Sequence, residues 1–172
     1  DFEELTYIDF INYFLHLRSK SKGENVQIVR ECENGECKQP FEYEFRIDQT
    51  IKYKNVDKLF DTVKLTDDLS VTIKPMNYKY VYGVSNIQDE FDLFMTTAAY
   101  SIDKVIYKEN IYNNVDIEEL EKTLVSKLTE DQLAKIFEHY KNLINIYLSV
   151  DIVCPWCGHK ETVKIDNFLK LL

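Results

Sequence analysis

The sequence predicts an α+β fold in a single domain, residues 1–172, with β-hairpins near both ends and helices between them. Three observations lead there. Apolar and polar residues alternate over 24–48 and again over 146–165, and the spacing lengthens to a helical one across 87–142. All four cysteines fall in two turns of the β regions, Cys32/Cys37 and Cys154/Cys157.

Thr6 followed by Asp9 resembles a capping box, and Ile8, Ile11 and Leu15 then recur at helical spacing, which predicts a helix over 7–19 stopped by Gly23. Val26, Ile28 and Arg30 alternate next. After the Asn34-Gly35 turn, Phe41, Tyr43, Phe45 and Ile47 lie on one face of a second strand. Val63 and Leu65, then Leu69, Val71 and Ile73, flank Asp67-Asp68 and predict a second hairpin ending at Pro75. Ile87, Phe91, Ala98 and Ile102 fit one helix, followed by a short strand near 105–107. Asp116 with Glu119 and Thr129 with Gln132 are capping signatures that open helices over 117–128 and 130–142. A strand over 146–153 runs into Cys154-Pro-Trp-Cys157-Gly-His159, and a last strand over 161–165 precedes a short helix.

Composition narrows the function classes. A chain of 172 residues with 45% hydrophobic and 30% charged residues buries a core without disulfide staples and is not disordered. Thirty acidic against 21 basic side chains give a net charge of −9, the wrong sign for a protein that tracks phosphate backbones, so no nucleic-acid partner is expected. Only four Gly and three Pro leave little linker material for a domain boundary. The apolar stretch 91–102 is too short and too polar for a membrane span of roughly 20 residues. The N-terminal residues show no basic-then-apolar leader pattern, which reads as a soluble, intracellular protein with no membrane partner.

Tetrahedral zinc takes four thiolate or imidazole ligands, and a turn carrying two cysteines a few residues apart supplies half of such a shell. The metal ligands expected are therefore Cys32, Cys37, Cys154 and Cys157, holding a structural Zn2+. Cys154-Pro-Trp-Cys157-Gly158 has the form of a zinc knuckle, with Gly158 free to adopt a positive φ. Cys32-Glu-Asn-Gly-Glu-Cys37 is looser, and His159 is the alternative ligand should an early cysteine miss the metal. A thioredoxin-type redox pair needs a helix where a strand follows here, and two structural disulfides need an oxidising compartment. A metal with four protein ligands has no open position, so such a site ties the early hairpin to the C-terminal strands without doing chemistry.

The remaining candidates have simpler explanations. Asp67-Asp68 is a hairpin turn, and Glu118, Glu119 and Glu121 are the acidic start of a helix favoured by its dipole. His16 and His139 are ordinary helix residues with no nucleophile or acid at a recognisable spacing, and Arg18, Lys20 and Lys22 form a solvated helix end. No phosphate loop, nucleophile elbow or paired-histidine motif occurs, so neither an enzyme activity nor a small-molecule substrate is expected.

The order of these features resembles the baseplate hub assembly proteins of T-even-type tailed bacteriophages. The shared pattern is the helix ending in residues 14–23, the early cysteine pair, the polar β segment 67–75, the helix 91–103, the Glu118-Glu119-Leu120 helix pair and the closing Cys-x-x-Cys-Gly segment. The early pair, with four spacers, is wider than the family pattern. The resemblance implies an assembly chaperone or minor hub subunit that binds other phage baseplate hub or tail proteins, in the host cytoplasm during tail assembly or in the virion baseplate. The competing reading is a zinc-ribbon-like adaptor in nucleic-acid or transcription machinery, which a continuous Lys/Arg stripe would favour.

Overall fold

In the computed structural model, residues 5–84, 86–113, 116–166 and 168 are described. The elements in order are α1 (Tyr7–Lys22), β1 (Asn25–Glu31), β2 (Pro40–Arg46), α2 (Ile47–Thr50), β3 (Ile51–Lys54), β4 (Asp61–Lys64), β5 (Leu69–Ile73) and α3 (Tyr78–Val84). They continue as α4 (Glu90–Ser101), β6 (Ile102–Tyr107), β7 (Asn110–Asn113), α5 (Ile117–Thr123), a 3-10 turn (Val125–Lys127), α6 (Glu130–Lys141), β8 (Asn145–Val153) and β9 (Lys160–Ile165). The α+β class is as expected. The chain divides into two compact units, Asp1–Phe10 with Asn55–Asn145, and Ile11–Lys54 with Ile146–Leu172.

The first unit is a four-stranded antiparallel sheet, β4-β5-β6-β7, covered by helices. Val63 pairs with Val71, and Val71 with Val105, so every second residue of the sheet faces the helices. Val63, Val71, Ile73, Ala98, Leu133 and Ile136 are buried in one cluster. Three helix starts are fixed by side-chain caps, the last two at the residues that predict them. Asp89 accepts from the Asp92 N–H, Asp116 accepts from the N–H groups of Glu118 and Glu119, and Thr129 and Gln132 form a reciprocal capping box. Tyr140 is partly buried against the core cluster, and desolvation pushes its phenol up to about 12.

The second unit holds a two-stranded sheet, β1-β2, and a three-stranded sheet, β3-β8-β9. Along β8, Ile146, Leu148, Val150 and Ile152 are buried at alternate positions, and Val150 stands opposite Val163 of β9. Leu15, Val26, Phe41, Phe45 and Ile47 add to the buried apolar residues of this unit. Arg18 reaches round to donate to the carbonyl of Gly23, whose φ of 94° ends α1 in the left-handed region.

Several boundaries differ from the sequence reading. The expected helix over 117–128 stops at Thr123 and tightens into the 3-10 turn, with the hydroxyls of Thr123 and Ser126 bonding back to the carbonyls of Glu119 and Lys122. Ile47 leaves the strand and opens α2, where it is wholly buried. The helix α3 and the strands β3 and β7 have no counterpart in the sequence reading. Tyr78–Val84 has the aromatic composition of a strand. All four residues of β7 are exposed, which erases the alternation that would mark it. The short helix expected after residue 165 falls almost wholly outside the described residues. Among the described residues, no helix is long and apolar enough to cross a membrane.

Truncation should separate cap from core in urea unfolding: Thr129→Ala is expected to cost about 1 kcal/mol, and Leu133→Ala about 2–5 kcal/mol. Equal losses would overturn the assignment of Leu133 to the packed centre.

Candidate metal centre

Two hairpin turns build the site. The β1–β2 ladder ends in a hydrogen bond from the Cys32 N–H to the Gln39 carbonyl at 3.1 Å, and the β8–β9 ladder ends in one from the Cys154 N–H to the His159 carbonyl at 2.8 Å. Each ladder therefore delivers a buried cysteine at the last paired position of its incoming strand. Within the turns, the Lys38 N–H donates to the Asn34 carbonyl at 3.1 Å and the Gly158 N–H to the Cys154 carbonyl at 2.9 Å. Lys38 and Gly158, each one residue past the second cysteine, both have positive φ, 47° and 73°.

The two turns thus share a backbone plan, and Asn34 stands where its counterpart carries Cys154. The first sulfur of the early turn comes from two residues earlier, at the end of the strand. The Asn34 amide Nδ2 lies 3.9 Å from the Cys157 Sγ, beside the four-sulfur group, which takes its fourth sulfur from Cys32. This is why four spacers in the first pair do not prevent convergence.

All four Sγ atoms lie within 4.8 Å of one another. The contacts cross between turns, Cys32 to Cys157 at 3.7 Å and Cys37 to Cys154 at 3.9 Å. A tetrahedral site with metal–sulfur arms of about 2.3 Å has sulfur–sulfur edges of about 3.8 Å, whereas a disulfide needs about 2.05 Å. The four thiols can therefore hold a metal, and their chemistry suits a soft or borderline cation. Trp156, 67% exposed at the tip, donates its indole N–H to the Pro40 carbonyl at 3.2 Å and joins one turn to the other.

The thiols are not electrostatically alike. Burial pushes Cys32 up to about 12, helped by the thiols of Cys154 and Cys157 and opposed by the Asn34 N–H. At Cys37 the Gln39 N–H favours the thiolate, but burial and the neighbouring thiols outweigh it and the net shift is upward. At Cys154 burial is outweighed by the N–H groups of Cys157 and Trp156 and by the thiols of Cys32 and Cys157, which bring it down to about 7. Ligation requires every proton to leave, so affinity for a metal falls as pH drops.

The sequence-expected ligands are all brought together, and His159 is not among them: its carbonyl, two residues past Cys157, serves the hairpin ladder. The carboxylate clusters stay in the roles given them. Asp67 pairs with Lys64 at 2.8 Å, and Glu118 pairs with Lys122 along α5. His139 is different from the expectation, because the fold brings an acid to it: its Nδ1 lies 2.9 Å from Asp61 Oδ2, joining α6 to β4. That partner is 78 residues away, beyond any spacing rule.

These features define a small α+β protein with one four-thiol, metal-competent centre. Residues 2–172 match the family model described as T4 bacteriophage base plate protein, and the chain belongs to that family. No curated protein and no solved structure is significantly similar to it.

The unlike residues at the two positive-φ positions give a direct test of the shared backbone plan. Gly158→Ala meets no atom within 4 Å, so its cost is conformational alone, about 1–2 kcal/mol in thermal or urea unfolding. Lys38→Gly should be neutral or stabilising. A harmless Gly158→Ala would show that the second turn does not need the left-handed residue.

Proposed function

We propose that this baseplate protein helps to build the central hub of the baseplate, as an assembly chaperone or minor hub subunit, by binding other tail proteins in the host cytoplasm. The family match over residues 2–172 carries the reading. The wider pattern of helices and cysteine pairs, which resembles the hub assembly proteins, gives it its finer form. The net charge of −9 supports protein partners over nucleic acid.

Cys32, Cys37, Cys154 and Cys157 are the proposed ligands of one structural Zn2+. Four thiolates close the coordination shell, leaving no position for water or substrate, so the metal serves the fold that presents the binding surfaces. When bound, it supplies a four-way cross-link between the ends of β1, β2, β8 and β9.

Metal analysis of protein purified without added zinc should find one equivalent per chain. Cobalt(II) titration should give a tetrahedral thiolate spectrum that Cys154→Ser abolishes. Cys32→Ser should abolish it too, and adding Asn34→Cys should restore it, since position 34 carries the register of the second knuckle. Persistence of fold and spectrum without any of these thiols would sink the metal assignment.

Co-expression with the hub and central-spike proteins of a T4-type phage, followed by purification through this chain, should recover a stoichiometric complex. Recovery of the chain alone would count against the hub role.

A further inference from the structure

A cavity of about 410 Å³ in the second unit is lined by Ile28, Val29, Arg30 and Glu31 of β1, by Tyr43 of β2, and by residues 163–166 at the end of β9. Consecutive residues line it on both sides. A strand that presents a face contributes every second residue, so consecutive lining means that β1 and β9 present their edges.

The hydrogen-bond phase agrees. Cys32 donates to Gln39, and Ile47 donates to Glu24, so the bonded pairs of the β1–β2 ladder fall on the even-numbered residues of β1. Antiparallel alternation then turns the main-chain N–H and C=O of Val29 and Glu31 away from β2. On β9 the Cys154–His159 bond sets the same phase, and Thr162 and Lys164 turn their main-chain groups away from β8. Among the described residues, β1 pairs with β2 alone and β9 with β8 alone. The edges are held together by Arg30, which reaches Glu161 at 3.4 Å and also pairs with Glu33.

We infer that this slot receives an extended segment of a partner protein, which adds as a β-strand through the outward main-chain groups of Val29 and Lys164 and the N–H of Glu31, whose carbonyl already accepts from Arg30 Nε at 3.4 Å. The partner's chemistry follows from the walls. Ile28, Tyr43 and Ile165 take apolar side chains at alternate positions of the incoming strand. The charged lining is Glu31 and Asp166 against Arg30 and Lys164, and Arg30 is already engaged by Glu33 and Glu161, so the free charge at the slot is an excess of carboxylate and the other positions carry Lys or Arg. A second copy of a chain with net charge −9 is the wrong occupant. The inference deepens the proposed role in binding tail proteins and rests on it only for the partner's source.

The probe is a synthetic ten-residue peptide of alternating Val and Lys, added to the full zinc-loaded chain, with amide hydrogen exchange as readout. The amides of Val29, Glu31 and Lys164 are expected to gain at least tenfold protection. A peptide methylated on its backbone nitrogens, a Val/Glu peptide, and the variant Val29→Pro should each lose most of it. Val29→Pro removes an outward N–H and spares the β1–β2 ladder. Protection by the methylated peptide would overturn strand addition. Protection by the Val/Glu peptide, or on concentrating the chain alone, would overturn the basic partner. In the co-expression experiment, a complex that survives Val29→Pro overturns the slot and leaves the hub role standing. Peptide protection without any complex does the reverse.

Discussion

The second unit depends on two turns, 117 residues apart in the chain, meeting with four sulfurs within 4.8 Å. Closing a loop of that length costs about 4–5 kcal/mol of chain entropy. A two-stranded sheet such as β1–β2, taken without the buried contacts of Val26, Phe41 and Phe45, is marginal in water. Structural zinc contributes on the order of 10–16 kcal/mol in small zinc domains, which exceeds the closure cost comfortably. The metal proposed for this point would therefore make the hairpin pair a folded object.

The first unit needs no such device, because its stability is of the ordinary kind, with helices buried on one face of a four-stranded sheet around Val71, Leu133 and Ile136. The contrast explains why the chain can keep open strand edges in the second unit. Edges invite pairing and are usually blunted by charge. Here the rim carries Glu31, Lys164 and Asp166, and Val29 on β1 is 62% exposed. With register fixed at the cysteines, the edges can stay unpaired without the hairpins slipping.

Much of this was legible in the residues. The β1–β2 hairpin, the Thr129 capping box, the alternating β8 and the four-cysteine group all follow from local patterns whose physical causes act within a few residues. What escaped was decided by partners far away or by absent signals. Tyr78 and Tyr80 occupy a helix because their rings stack on Phe10 and Tyr100, a tertiary contact that overrides strand propensity. Strand β7 turns at Lys108, with φ 54°, where neither Gly nor Asn announces a hairpin, and the Lys108 N–H is bound by the Asp68 carbonyl at 2.7 Å. Asp61 and His139 carry no mark of each other in the sequence.

The early cysteine pair shows how spacing and register differ as kinds of information. Counting spacers compares Cys32 with Cys154 and finds the first turn too long. Aligning the turns on their second cysteine, their following positive-φ residue and their closing hydrogen bond compares Asn34 with Cys154 and finds the turns alike. The extra two residues, Cys32 and Glu33, then lie just past the end of β1, where the ladder bond to Gln39 positions Cys32 as firmly as a tight turn would. The backbone plan is set by the residues after the ligands, so the ligand itself can move along the strand while the sulfurs still converge.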